Sequence, residues 1–165
     1  MKNCIIREIK QSEFSILDDM LYEAIYQHDT ANLLPKNIIE LPKINVYIKD
    51  FGKQTDDYCL VADVNGKIVG AVWVRILAGE IKGYGNIDET TPEFAISLFK
   101  EFRNQGIGTR LMTEMIDYLQ KCGYEKTSLS VDKENYAVKM YKKLGFEVVA
   151  ENDDDYLMVL KLSDI

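Results

Sequence analysis

The sequence predicts an α/β protein of the mixed α+β kind, a mostly antiparallel sheet of about seven strands flanked by about four helices. Two observations carry that prediction. Early in the chain, β-rich runs meet across tight turns, as antiparallel meanders do. Later, strand-like and helical runs alternate, as βαβ crossovers require. The resulting order is β-α-α-β-β-β-α-β-α-β-β. At 165 residues with 47% hydrophobic side chains, the chain is long enough to bury one core without staples. We therefore expect residues 1–165 to form a single domain.

Residues 4–9 read as a short strand. A helix follows from about Ser12, because Phe14, Leu17, Leu21, Ala24 and Ile25 recur at helical spacing, with Ser12 or Ser15 as cap and His28 at its end. A second helix fits residues 42–51: Pro42 suits the first position, Ile44, Tyr47, Ile48 and Phe51 share a face, and Gly52 follows as a stop. Residues 58–64 and 67–76 form a hairpin around Asn65-Gly66, the favoured two-residue turn pair. A glycine-punctuated loop (Gly79, Gly83, Gly85) is read as a mobile lid, and a strand at 91–100 follows it. Residues 106–122 are strongly helical, with Leu111, Met112, Met115, Ile116 and Leu119 on one stripe and Gly123 as terminator. A strand at 127–131, a helix at 135–144 ended by Gly145, and closing strands at 146–149 and 156–162 complete the chain. Asp153-Asp154-Asp155 reads as a solvated turn.

Composition excludes several functions. A formal charge of −7 argues against a nucleic-acid partner, which needs a dense cationic face. The same acidity is compatible with attracting amines. No apolar run approaches a membrane span, and Met1-Lys2-Asn3-Cys4 lacks a signal-peptide core, so the expected location is cytoplasmic. Cys4 and Cys59 lie in strand-like runs and Cys122 on an apolar helix, which suits free buried thiols. With no CxxC spacing and one histidine, no metal site is expected. A cysteine nucleophile paired with His28 stays open.

The chemistry-bearing segment is Arg103-Asn104-Gln105-Gly106-Ile107-Gly108, which ends a strand and opens the strongest helix. A helix N-terminus offers unpaired N–H groups and the positive end of the dipole, and glycines let backbone approach an anion closely. A Walker loop fails because Gly108 is followed by Thr109-Arg110, and a dinucleotide fingerprint lacks its third glycine and its place in a first crossover. A glycine turn holding no ligand is the alternative these six residues leave standing.

This run resembles the [Q/R]-x-x-G-x-[G/A] signature of the GNAT N-acetyltransferase family. Asn135-Tyr136-Ala137-Val138-Lys139-Met140-Tyr141-Lys142-Lys143-Leu144-Gly145-Phe146 resembles the family's second signature, an asparagine before a helix closing with Tyr-x-x-x-Gly-Phe. The resemblance is close over residues 91–149 and rests on element order elsewhere. Asn104, where many relatives have glycine, and Lys100, where many have proline, depart from it.

The resemblance implies a GNAT-like fold and a single N-acetyltransferase domain, with acetyl-CoA as cosubstrate, no metal, and a small-molecule or peptide amine as acceptor. It also admits a homodimer. Amides of Arg103, Asn104, Gln105, Gly106, Ile107, Gly108 and Thr109 would hold the CoA pyrophosphate. Leu98, Phe99 and Lys100 would face the pantetheine arm, the Leu98 N–H serving as oxyanion donor. Asn135 would bind pantetheine or cap its helix. Tyr141 matches the family's general acid, against the plain reading of a core aromatic. Glu93 matches its general base, acting directly or through a water, against an exposed carboxylate at a strand start. The implied mechanism is direct attack in a ternary complex, and a catalytically silent acyl-CoA sensor is the alternative. His28 reads as a surface cap and Trp73 as core, while Tyr22, Tyr26, Tyr47 and Tyr84 are candidates for the acceptor pocket.

Overall fold

The first half of the sheet follows from apolar alternation and one turn. In a computed structural model, which describes residues 3–162, β1 (Cys4–Glu8), β2 (Tyr58–Val64), β3 (Lys67–Arg75) and β4 (Glu93–Leu98) form an antiparallel meander. Met1 and Lys2, part of the leader reading, lie outside the described residues. Asn65 and Gly66 take φ of 53° and 88°, as a tight hairpin turn demands.

The second half is built from crossovers. After α3 (Ile107–Lys121), β5 (Lys126–Asp132) returns parallel to β4. It is followed by α4 (Ala137–Leu144), β6 (Glu147–Glu151) and β7 (Asp155–Lys161). The strand order is β1-β2-β3-β4-β5-β7-β6. β7 therefore sits inside β6, against chain order. Met158 and Leu160 of β7 are buried, whereas β6 is exposed along its whole length, so the more apolar strand takes the inner place.

One feature of this sheet positions the site. β4 and β5 are in register only at Glu93 and Ser128, sealed by the Ser128 N–H donating to the Pro92 carbonyl at 3.1 Å. Beyond that pair the strands separate toward their C-terminal ends, and the sheet opens into a notch. Such crevices outside the carboxyl ends of parallel strands are where α/β folds hold ligands.

Helices cover both faces. On one face α3 and α4 bury Leu111, Met112, Met115, Leu119 and Tyr141 against Val72, Val74, Phe94 and Leu129. On the other, α1 (Ile16–Ala24) and the segment from α2 (Pro42–Asn45) onward bury Leu17, Met20, Leu21 and Ile48 against Val61, Ala71 and Trp73. Among the described residues, no helix is long and apolar enough to cross a membrane.

The expected helix over residues 42–51 is mostly absent: α-helix stops at Asn45 and single turns follow. The cause lies across the core. Arg75 donates to the Val46 and Lys49 carbonyls at 3.0 and 2.7 Å, and Trp73 Nε1 donates to the Tyr47 carbonyl at 3.0 Å. Side chains thus claim acceptors that a continuing helix would use, in a stretch of β-branched residues with little helix preference. The first helix is likewise shorter than expected: a 3-10 turn occupies Gln11–Glu13, and Ile25 is already extended, so His28 lies beyond the helix. The strand expected over residues 91–100 is paired only at Glu93–Leu98, and Lys100 begins a 3-10 turn. Cys59 is buried and Cys4 half-buried as free thiols, but Cys122 is exposed just past α3, correcting the expectation for that residue.

Candidate active site

The loop between β4 and α3 takes its shape from two residues with positive φ, Asn104 at 61° and Gly106 at 83°. Asparagine is the side-chain-bearing residue most at ease there, which explains how it stands where glycine is common. The Arg103 amide is used by the Lys100 carbonyl at 3.3 Å. From Asn104 to Thr109, no backbone amide meets an acceptor among the described residues until Arg110 bonds Gly106 at 3.2 Å. These free amides, at the positive end of a helix of 15 residues, have the chemistry that suits an anion. A Cβ at Gly108 would meet only Leu98 and Met140 at 3.7 and 3.8 Å, so α4 lies alongside the mouth of this loop.

Arg103 turns out to serve the scaffold. Its guanidinium donates to the Leu98 carbonyl at 3.1 Å and pairs with Glu23 of α1 at 3.1 Å, tying the loop to the opposite face. Its amide and two of its guanidinium nitrogens have partners within the chain, so the run of free amides begins at Asn104 and not at Arg103. Gln105 donates its side-chain amide to the Glu101 carbonyl, leaving its backbone N–H in that run.

Backbone alternation decides which strand groups face the notch. Phe99 N–H donates to the Val69 carbonyl of β3 at 2.9 Å, so odd-numbered residues of β4 spend their amides on β3. The amides of Ile96 and Leu98 point the other way, toward the notch. Of the three expected strand-end residues, Leu98 alone offers an N–H there; that of Phe99 is spent, and Lys100 lies in the turn.

Glu93 lies at the apex of the notch. It is 2% exposed, correcting the alternative of a solvated carboxylate. Its Oε2 accepts from the Tyr47 hydroxyl and from the Gly85 N–H at 3.0 Å, while Oε1 is buried without a partner among the described residues. Burial pushes this carboxyl up to about 7, against the opposing pull of those two hydrogen bonds. The loop of glycines lies directly on it: a Cβ at Gly83 would fall 2.0 Å from Oε1, and one at Gly85 only 2.7 Å from Leu129 backbone. Tyr84 N–H donates to the Tyr47 hydroxyl at 2.8 Å and Ser128 Oγ to the Gly85 carbonyl at 2.6 Å. The segment read as a lid is therefore fastened over its second half.

Tyr141 stands on the opposite face. It is 6% exposed, edge-on to Phe146 at 5.8 Å, and Phe146 meets Phe94 at 5.7 Å. Burial raises its phenol above the ordinary value, which keeps it protonated. Asn135 uses its Oδ1 to accept the Ala137 N–H at 2.9 Å, capping α4, the second of its two expected roles. His28 reaches from the α1–α2 connection to the end of β5, with Nε2 2.7 Å from Asp132 and Nδ1 on Glu134, contacts that raise its pKa. Tyr22 is buried with its hydroxyl on the Leu34 carbonyl at 2.6 Å, while Tyr26 and Tyr84 are exposed. Trp73 is core, as expected.

Comparison with known proteins gives the family and supports the fold. The acetyltransferase (GNAT) family model matches residues 21–146, which contain the anion loop, the notch strands and α4. The chain belongs to the GNAT acetyltransferase family. Its relatives include an uncharacterised N-acetyltransferase of Methanocaldococcus jannaschii, 38% identical over 104 residues, covering 61% of this chain and 44% of that protein. The chain thus spans under half of that relative's length. N-alpha-acetyltransferase 30 of Schizosaccharomyces pombe is 28% identical over 129 residues, covering 76% of this chain and 80% of its own. Among solved structures, the PaiA N-acetyltransferase of Thermoplasma acidophilum, crystallised with coenzyme A, superposes with a TM-score of 0.67 at 20% identity, over 96% of this chain and 99% of that one.

Within this GNAT chain, sequence reasoning missed Ile96 and the link between Tyr47 and Glu93. Period-two alternation from Leu98 would have found the Ile96 amide. The Tyr47 contact spans 46 residues, and no local pattern announces it.

Proposed function

We propose that this chain transfers the acetyl group of acetyl-CoA to a primary amine of a small molecule or peptide by direct attack in a ternary complex, as one N-acetyltransferase domain over residues 1–165. The observation that carries the reading is the free-amide loop opening beside a split sheet. The loop suits a pyrophosphate, and the notch is lined by strand amides that suit an extended pantetheine arm. Acetyl-CoA supplies an activated acyl thioester; the remaining chemistry falls to the chain.

Asn104 to Thr109 amides hold the pyrophosphate, and Leu98 N–H meets the carbonyl oxygen as it gains charge. Glu93 takes the proton of the acceptor ammonium. Leu98 is five residues from Glu93, about 17 Å along the strand, so the proton crosses through water and not by direct contact. As the C–N bond forms and the C–S bond breaks, the nitrogen loses its second proton to water, while Tyr141 gives its proton to the sulfur and regains one from solvent. Its raised pKa keeps the acid form present while weakening the driving force for transfer. Glu93 and Tyr141 lie on opposite faces of the sheet, and the notch is the opening through which both address one thioester.

The test is release of free CoA across a panel of amines, beside calorimetry with acetyl-CoA. Turnover that falls in Tyr141→Phe supports the reading. Binding without turnover on any amine would favour the acyl-CoA sensor, and absence of binding would end both.

A further inference from the structure

Glu93 is bonded asymmetrically. Oε2 carries two donors, the Tyr47 hydroxyl and the Gly85 amide, while Oε1 is buried under Gly83 with none among the described residues. Buried carboxylate oxygens without a donor are rare in folded proteins, because the cost of stripping water from them is unrecovered. The asymmetry has one source among side chains. Arg75 is in register with Glu93 on β3 but its guanidinium is engaged by Asp57 at 2.9 Å and by the Val46 and Lys49 carbonyls. Ser128 of β5 donates to the Gly85 carbonyl, and α1 meets β4 further along, where Ser97 donates to the Met20 carbonyl. Tyr47 is the titratable side chain that touches the carboxyl.

Tyr47 is itself held from two sides. Trp73 Nε1 fixes its carbonyl at 3.0 Å and the Tyr84 N–H fixes its hydroxyl oxygen at 2.8 Å, so the phenolic hydrogen is directed at Glu93. We propose that Tyr47 is a positioning residue for Glu93: by holding Oε2 together with Gly85, it leaves Oε1 as the one atom that accepts the acceptor's proton, and it ties that carboxylate to the seating of the glycine loop. This rests on the reading of Glu93 as base. In the step it serves, the glycine loop unseats from Oε1 to admit a water, an ammonium proton passes through that water to Oε1, Glu93 becomes a carboxylic acid, and the proton returns to solvent after turnover. Tyr47 keeps its own proton throughout, since burial and the neighbouring carboxylate raise its pKa.

The experiment follows Glu93 directly, by carbon NMR of the carboxyl in full-length protein labelled at glutamate Cδ, with Glu93→Gln assigning the resonance. Removing the Tyr47 hydroxyl deletes a donor that favours the ionised form. Tyr47→Phe is therefore expected to raise the Glu93 titration midpoint by about 0.5–1 pH unit, and to carry the acidic limb of kcat/KM the same way. KM for acetyl-CoA should stay within about twofold, because Tyr47 is remote from the anion loop. A more acidic phenol, 3,5-difluorotyrosine at position 47, is expected to shift both readouts downward, and it covers the case in which Tyr47→Phe does not fold. An unmoved Glu93 midpoint in both variants overturns the proposal, as does activity lost at all pH values with the limb in place. A midpoint that moves while the limb stays sinks Glu93 as base and the proton-accepting role of Oε1 with it, and leaves only the hold of Tyr47 on the Glu93 carboxyl.

Discussion

At Glu93, burial opposes charge, and the consequences are measurable in two ways. The folded chain holds the carboxyl proton more tightly than the unfolded chain, whose value is near 4.5, and releases it near about 7. The stability it contributes is complete below the lower value and is lost as pH rises through the upper one, about 3 kcal/mol in all. Glu93→Gln removes that dependence, so urea midpoints of the two proteins should diverge in favour of the variant between about pH 5 and pH 8. The same substitution should lower kcat by about 10²- to 10⁴-fold and flatten the acidic limb of the rate profile. Tyr141→Phe should lower kcat by about 10- to 10³-fold with acetyl-CoA affinity held, read by single-turnover kinetics and calorimetry. As candidates, Tyr141 was legible by its place in the second signature and Glu93 by its place at the start of the strand that leads into the loop. The burial of Glu93 was not, because it depends on Tyr47 and Gly83 arriving from separate parts of the chain.

The β4–α3 loop shows why its two glycines differ. Gly106 has φ of 83°, where a side chain is strained, whereas Gly108 has ordinary torsion and room for a methyl group at 3.7 Å. Gly106→Ala should cost about 1–2 kcal/mol of stability and weaken acetyl-CoA binding, while Gly108→Ala should leave the melting temperature unchanged. Thermal melts with calorimetry on both variants check the contrast. A tolerant last position and an intolerant first one reproduce the G-x-[G/A] form of the signature from torsion alone. Elements of this kind were readable because their causes are local: α3 from its apolar stripe, the hairpin from Asn65-Gly66. The stretch after Pro42 was misread because Arg75 and Trp73, some 30 residues on, take its carbonyls.

Across the whole molecule, His28 joins the α1 side to the far half of the sheet through Asp132 and Glu134, beside Asp155. Its pKa is raised, so the clasp is strongest at low pH and weakens as pH rises past the ordinary imidazole value of 6.5 and through the raised one. Limited proteolysis within residues 25–34 should increase over that interval, and His28→Ala should be cut readily at all pH values. Fold class and element order were legible from periodicity and turns, whereas the inward placement of β7 was not, since it reflects competition between two strands for one position. The lone register pair of Glu93 with Ser128 has a consequence for how the chain acquires its structure. Strands β2 and β3 close through a tight hairpin and take β1 and β4 onto their outer edges, while β5 to β7 pair with one another and meet that group at a single register position, so the two halves are expected to behave as distinct cooperative units during synthesis and in the native ensemble. Native-state hydrogen exchange should find β5–β7 opening at a lower free energy than β2–β3. A ligand spanning the seam should narrow that gap, by about 2.7 kcal/mol when present at a hundred times its Kd.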